Sequence, residues 1–319
     1  MVNRSYFAFT TLIICVLVFM AVIVPQSKVS EYADRSGWVK DFLGREVAPP
    51  VIRPQRIISL SPGNTEIIFA LGAGNRLVGV TTYCDYPEEA KKITKVGSFE
   101  KPDIEKIILL RPDIVFTGGE FHTGAIRALE NAGIQVVAIE PRSIEDVLKS
   151  IRLIASFIHE QENGESLIAG MEQILVKVRN SASETSKKIF VEIWDKPLLT
   201  VGGTSYINDI ITQAGGRNVA AAKAAYYAVC DNETLYAYDP DIYIVARHGG
   251  TQRKRMFSRF EQENIRAIRE NRVYYISDDY MDRPGPRSFI ALEQIADIIR
   301  QESKKNQGLT YHDYNSRIQ

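Results

Sequence analysis

Between Pro141 and Pro197 the chain carries no proline, its longest such run. Two helical patterns occupy it, one on each side of Asn163-Gly164. The first holds Ile144, Val147, Leu148, Ile151, Ile154, Ala155 and Ile158; the second holds Leu167, Ile168, Met171, Ile174, Leu175 and Val178. Apolar residues recur every three or four positions, so each helix has one apolar stripe and one wet face. A helix of about 20 residues is roughly 30 Å long, the width of a small domain. Short apolar strand patterns alternate with helices on both sides. The middle therefore reads as a helical spine joining two similar lobes, rather than two ordinary helices inside one larger domain.

Length and composition set the outer bounds. A chain of 319 residues suits one large or two ordinary domains. The formal net charge is zero, which argues against nucleic acid or an anionic membrane surface as partner. Three cysteines do not make a disulfide scaffold, and only Cys84 and Cys230 fall outside the apolar N-terminal run. That run, residues 7–24, follows Arg4 and contains Cys15. Its 18 residues span roughly 27 Å as a helix, close to the thickness of a membrane's hydrocarbon core. It lacks the small-residue cleavage site of an exported leader and the small residues a lipoprotein box wants before its cysteine. An uncleaved anchor with Arg4 on the cytoplasmic side and a cleaved signal both remain open, and either exports the rest. The expected organisation is an anchor or signal at 1–24, a polar tether at 25–50, a first lobe at 51–142, the spine at 143–187, a second lobe at 188–302 and a tail at 303–319.

In the first lobe, strands are expected at 56–60, 77–80, 114–116 and 135–139, with helices at 67–71, 104–110 and 125–132. Ser61 or Asn64 caps the first helix, after a Pro62-Gly63 turn. In the second lobe, strands are expected at 189–193, 198–201, 241–246 and 273–276. Helices run from the Gly202-Gly203-Thr204-Ser205 loop to Gly215-Gly216, over 260–269, and onward from a Ser288 cap. Short buried strands alternating with helices predict parallel sheets covered on both faces. Ligands of such sheets sit in loops beyond the strand C-termini.

One internal repeat links the lobes. Residues 105–114 and 233–242 both read E-x6-P-D-I, from Glu105 to Pro112-Asp113-Ile114 and from Glu233 to Pro240-Asp241-Ile242. Each proline ends a helix just before a strand. A first-turn glutamate is favoured by the helix dipole alone. Two in equivalent places suggest a shared role as well.

Catalytic signatures are scarce. The chain has no G-x-G-x-x-G, G-x-S-x-G, H-E-x-x-H or C-x-x-C, and its four histidines are few for a metal cage. His122 and His248 lie near strand exits and read as loop residues. The loops expected at the cleft instead hold Tyr83, Tyr86, Phe99, Tyr226, Tyr227, Tyr280, Arg283 and Arg287. Aromatic bodies with polar tips suit a large, partly polar ligand, and arginine forks suit carboxylates, phosphates or amides.

The segment from Arg56-Ile57-Ile58-Ser59-Leu60-Ser61-Pro62-Gly63-Asn64-Thr65-Glu66, with Gly79-Val80-Thr81-Thr82-Tyr83-Cys84-Asp85-Tyr86-Pro87, resembles the substrate-binding proteins of ABC importers for corrinoids, siderophores and haem. The likeness is greatest to the vitamin B12 binders and covers about residues 51–302. It implies two Rossmann-like α/β lobes on a helical backbone, with the ligand cleft between them. It implies no catalysis, no resident cofactor or metal, and a monomer outside the cytoplasm. The ligand is a cobalt corrinoid or, alternatively, a ferric siderophore or haem. The partners are a membrane permease and its ATPase. By resemblance, Glu105 and Glu233 dock onto the permease, and the pocket aromatics fall on Tyr83, Phe99, Tyr227 and Tyr280. Several of these are tryptophan in the B12 binders. The segment Arg283-Pro284-Gly285-Pro286-Arg287 looks more like the wider family. Cys84 and Cys230 are expected as separate thiols, since the match does not bring them to disulfide distance. An enzyme on similar lobes, such as a chelatase, would need clustered cysteines or histidines.

Overall fold

A computed structural model of the chain describes residues 37–181, 186–247 and 265–305. The apolar run at 7–24 with Arg4 and Cys15, His248, and the tail beyond Lys305 lie outside the described residues, as does the first half of the helix expected over 260–269. Among the described residues, no helix is long and apolar enough to cross a membrane.

The first sheet consists of β3 (Ile57–Ser59), β4 (Leu77–Val80), β5 (Ile114–Gly118) and β6 (Gln135–Ile139), ordered β4-β3-β5-β6 and parallel throughout. Three helices accompany it: α1 (Pro62–Ala70), α2 (Ile104–Leu109) and α3 (Thr123–Asn131). Alternate side chains point to opposite faces. Ile57, Ile114, Phe116 and Val137 enter one core, while Ile58, Val115 and Val136 enter another with Ile107, Ile126 and Leu129 of α2 and α3. Burial on both faces is why these strands read as unbroken apolar runs rather than alternating ones.

The spine is α4 (Ile144–Ile158) and α5 (Gln161–Asn180), packed on each other. The break lies at His159, in the left-handed conformation at φ 57°, and not at Asn163-Gly164. Two contacts hold Asn163-Gly164 inside α5. Asn163 Nδ2 donates to Leu71 O and Glu160 Oε2. A Cβ on Gly164 would lie 2.7 Å from that of Ala155, so only glycine lets the two helices cross this closely.

The second sheet combines β7 (Lys188–Asp195), β8 (Leu198–Val201), β9 (Arg217–Asn218), β10 (Tyr227–Val229), β11 (Ile242–Arg247) and β12 (Val273–Ser277). Its helices are α6 (Tyr206–Gln213), α7 (Asn232–Tyr238), α8 (Arg266–Arg269), α9 (Asp278–Met281) and α10 (Ser288–Lys305). The parallel order expected holds for β9, β7, β11 and β12. It does not extend to β8 and β10, which run antiparallel in a hairpin extension. Lys196-Pro197 is too short for a crossover, which needs a dozen residues or more, so the chain must turn straight back. The largest core runs unbroken from Ile57 and Phe116 through Ile151 and Met171 of the spine to Ile189, Ile244 and Leu292.

Three further expectations are corrected. Pro62 and Gly63 are the first turn of α1, capped by Ser61, because proline is tolerated where no helical N–H is needed. Ser288 opens α10 from inside, its Oγ accepting from Gly285 N. The tether expected over 25–50 is folded at its end. There β1 (Val39–Lys40) and β2 (Glu46–Val47) form a hairpin. Asp41, buried within it, accepts from Leu43 N, Arg45 N, the Arg45 guanidinium and Ala138 N of β6. Phe42 N donates to Ala138 O, so the hairpin covers the outer edge of β6.

Candidate functional site

The E-x6-P-D-I repeat is a structural repeat. Asp103 caps α2 through Lys106 N, and Asp231 caps α7 through Thr234 N. Arg111 and Asp239, the residues before the two prolines, both take positive φ, at 45° and 37°. Asp113 then accepts from Gln55 N and Arg56 N at the entry to β3, and Asp241 accepts from Lys188 N at the entry to β7. Glu105 and Glu233 occupy the same place on equivalent helices, exposed in the first turn. Neither makes a hydrogen bond or ion pair among the described residues. One turn beyond Glu105, Ile108 and Leu109 are also exposed, Leu109 by 79%.

The two sheets face each other through the loops at their strand ends. Two zones stand out here, of which the first joins the lobes by direct contact. In the first, loop backbones meet: a Cβ on Gly63 would lie 2.2 Å from Pro284 O, and Gly285 lies against Gly63. Arg287 forks onto Glu66, Nε to Oε2 at 2.9 Å and Nη2 to Oε1 at 2.6 Å. Its guanidinium carbon lies 4.0 Å from the Tyr86 ring centroid and 5.6 Å from that of Tyr280. Arg283 pairs with Asp85 of the first lobe and with Asp279 at 2.8 Å. Burial raises the Glu66 carboxyl above its ordinary value, and the Arg287 fork pulls it only part of the way back. The arginines expected to greet a ligand are thus both engaged with carboxylates. Beside this zone lies a hollow of about 580 Å³ lined by Glu66, Phe69, Tyr86, Pro87 and Arg287.

The second zone is aromatic. Tyr227 Oη donates to Asp282 Oδ1 at 3.0 Å, and the Tyr226 ring meets that of Tyr227 edge-on at 4.8 Å. Burial, then the Asp282 charge, pushes both phenols well above the usual tyrosine range. The charges of Glu140 and Arg142, at the end of β6 in the other lobe, also reach Tyr226. Arg142 pairs with Glu140 at 2.9 Å, and Glu140 accepts from Glu120 N at 2.7 Å.

On the first lobe, Tyr83 stands 52% exposed on the loop after β4. That loop is tied to the next one by Thr82 N donating to Gly97 O. Phe99 stacks on Phe121 at 5.3 Å and 19°. Beneath them His122 is buried, its Nδ1 accepting from Gly118 N at 2.8 Å and its Nε2 bonded to Phe99 O at 2.6 Å. That pattern requires the neutral tautomer with its proton on Nε2. Burial holds its pKa below the usual imidazole value. His122 is therefore a structural group with both nitrogens engaged.

The structure brings Arg283, Arg287 and Tyr280 together in one zone, places Tyr227 in the other, and sets Tyr83 and Phe99 on adjoining loops. Sequence reading missed Asp282, Glu140, Phe121 and the carboxylate partners of the arginines. Phe121 alone left a signal, as a lone aromatic beside the Gly118-Gly119 strand exit. Cys84 and Cys230 are separate buried thiols in different cores.

A family profile described as periplasmic binding protein matches residues 57–280. The chain belongs to the periplasmic binding protein family. It is a substrate-binding protein of the ABC-importer type, and proteins of this family are transport components. An ABC transporter substrate-binding lipoprotein of Bacillus subtilis strain 168, YvrC, is 31% identical over 261 residues, covering 79% of this chain and 82% of YvrC. The periplasmic vitamin B12 binding protein BtuF of Vibrio cholerae superposes with a TM-score of 0.71 at 25% identity, over 79% of this chain and 99% of BtuF. The periplasmic haem-binding protein RhuT from Roseiflexus sp. RS-1 superposes with a TM-score of 0.69 at 25% identity, over 78% of this chain and 99% of RhuT. This periplasmic binding protein thus shares its two-lobed architecture with binders of two different macrocycles.

Proposed function

We propose that the protein captures a corrinoid outside the cytoplasm and delivers it to the permease of an ABC importer. The reading rests on one observation above others: two exposed glutamates, without an ion-pair partner among the described residues, on structurally equivalent helices, one per lobe. Isolated surface carboxylates at matched positions suit two cations on a two-fold partner, here the permease with its ATPase behind it. In this reading the ligand sits among Tyr83, Phe99, Tyr227 and Tyr280, and Arg283 and Arg287 hold the lobes beside it rather than grip it. The protein acts as a monomer on a membrane tether, with the lobe and spine boundaries expected above except that the first lobe takes in the hairpin at 39–47.

Haem is the alternative that the likeness to RhuT supports, with ferric siderophores beside it. Ferric haem is normally held by an axial histidine, thiolate, methionine or phenolate. His122 has both nitrogens engaged, and the Tyr227 phenol is held protonated against Asp282. The likeness to BtuF and to other vitamin B12-binding proteins supports a corrinoid, whose cobalt carries its own ligands. The haem reading would use the exposed Tyr83 phenol as its axial candidate, and His248 lies outside the described residues. Calorimetric titration of residues 37–319 with cyanocobalamin and cobinamide tests the reading, with haemin and ferric siderophores as the comparison series. Submicromolar corrinoid binding is expected. Tight binding of haemin alone would overturn the corrinoid assignment and keep the transport role.

A further inference from the structure

We propose that Phe121 is a ligand-contacting residue, the outer face of a two-ring platform that His122 positions for a flat macrocycle. The proposal deepens the cleft reading above and rests on it. Phe121 is 62% exposed, and its inner face is stacked on Phe99 at 19°. A single exposed aromatic is ordinary on a protein surface. This one is held in place by more than a loose loop would need. The turn at Glu120–His122 follows β5 at the C-terminal end of the parallel sheet, the end at which such sheets bind ligands. Gly118 N donates to His122 Nδ1, and His122 Nε2–H donates to Phe99 O, so one imidazole fixes the backbones beneath both rings. Glu140 accepts from Glu120 N. A Cβ on Gly119 would fall 1.7 Å from Glu140 Oε2, so only glycine admits that carboxylate.

The chemistry of the platform is apolar and planar. A ring backed by a second ring at a small interplanar angle offers one flat, braced outer face, here that of Phe121, whereas the Tyr226–Tyr227 pair in the other lobe meets at 88° and offers an edge with polar tips. A macrocycle with a broad apolar face and a polar rim fits that combination. A compact, globular iron chelate uses it poorly. His122 is a positioning residue, since both its nitrogens are committed to backbone.

The test is the dissociation constant of the Phe121→Ala, Phe121→Trp, His122→Gln and Tyr227→Ala proteins. The probe is whichever of cyanocobalamin, cobinamide and haemin the wild-type binds most tightly. Phe121→Ala is expected to weaken binding on the order of tenfold, with only a small fall in melting temperature because the ring is 62% exposed and loses little beyond its stack on Phe99. Phe121→Trp should bind like the wild-type. Its added tryptophan emission should be quenched at saturation beyond the quenching seen with Trp38 and Trp194 alone. Wild-type affinity for Phe121→Ala, with affinity lost in Tyr227→Ala, overturns the platform and leaves the cleft reading standing. Impaired uptake with intact affinity would mark Phe121 as a permease contact and also overturns the proposal. A wild-type protein that binds none of the three probes overturns the cleft reading, and the platform falls with it.

Discussion

At the scale of single residues, Arg287 shows how a side chain can look like a ligand contact and act as a strut. Its partner Glu66 lies 221 positions away in the chain, so no local pattern announces the pair. The same holds for Arg283 and Asp85, 198 positions apart. Because Arg287 and Glu66 are both largely buried, removing one leaves the other uncompensated. Arg287→Ala is expected to cost about 3–5 kcal/mol in chemical denaturation. Glu66→Gln combined with Arg287→Met should recover part of it. Full stability in Arg287→Ala alone would contradict the strut. His122 adds a dependence on pH. Its native pKa lies below the ordinary value of 6.5, chiefly because burial disfavours the charged ring. The unfolded chain therefore takes up a proton first as pH falls, and stability present above about pH 6.5 is lost as the pH drops through the native pKa. Melting temperatures across pH 7.5 to 5 should show this decline, and His122→Gln should flatten it.

At the scale of elements, proline and aspartate made the architecture legible. Pro112-Asp113-Ile114 and Pro240-Asp241-Ile242 mark a helix end and a strand start whatever the tertiary context, and the structure places them equivalently. The apolar stripes of α4 and α5 were equally plain, because their period survives any packing partner. Other features had no local signature. The two-residue strands β1 and β2 are too short for any period to show, and Asp41 holds them by gathering backbone donors from its own turn, Leu43 and Arg45, and from Ala138 of β6. The break at His159 was hidden by Asn163-Gly164, a stronger breaker on paper that α5 absorbs through contacts to Leu71 and Ala155. The loop contact at Gly63 and Pro284 gives a test. Gly63→Ala drives a methyl into a backbone carbonyl, which cannot swing aside as a side chain could. It should cost about 1–3 kcal/mol and weaken ligand binding by prising the lobes apart. Gly285→Ala meets only ordinary contacts and should be tolerated. Equal effects in differential scanning calorimetry would show that the lobes do not meet at Gly63.

At the scale of the whole molecule, the proposed division of labour separates capture from delivery. Glu105 and Glu233 lie on the first turns of α2 and α7, and none of the proposed ligand contacts is on either helix. Reversing both to arginine should abolish uptake in cells and leave the calorimetric affinity for ligand unchanged, since exposed charges act mainly on partner association. A fall in ligand affinity would place the glutamates in the binding site instead. The continuous core through the spine points the same way: the lobes share one buried interior, so the docking face is presented as a fixed pattern rather than assembled on arrival. The hairpin of β1 and β2 has a further consequence. By bolting the chain to the edge of β6, it sets where the leash begins. With residues 7–24 in the membrane, as the anchor reading has it, only 14 residues separate Val24 from Val39, a reach of at most roughly 50 Å. A receptor on so short a line searches a thin layer rather than a compartment, and meets its permease at an effective concentration on the order of millimolar.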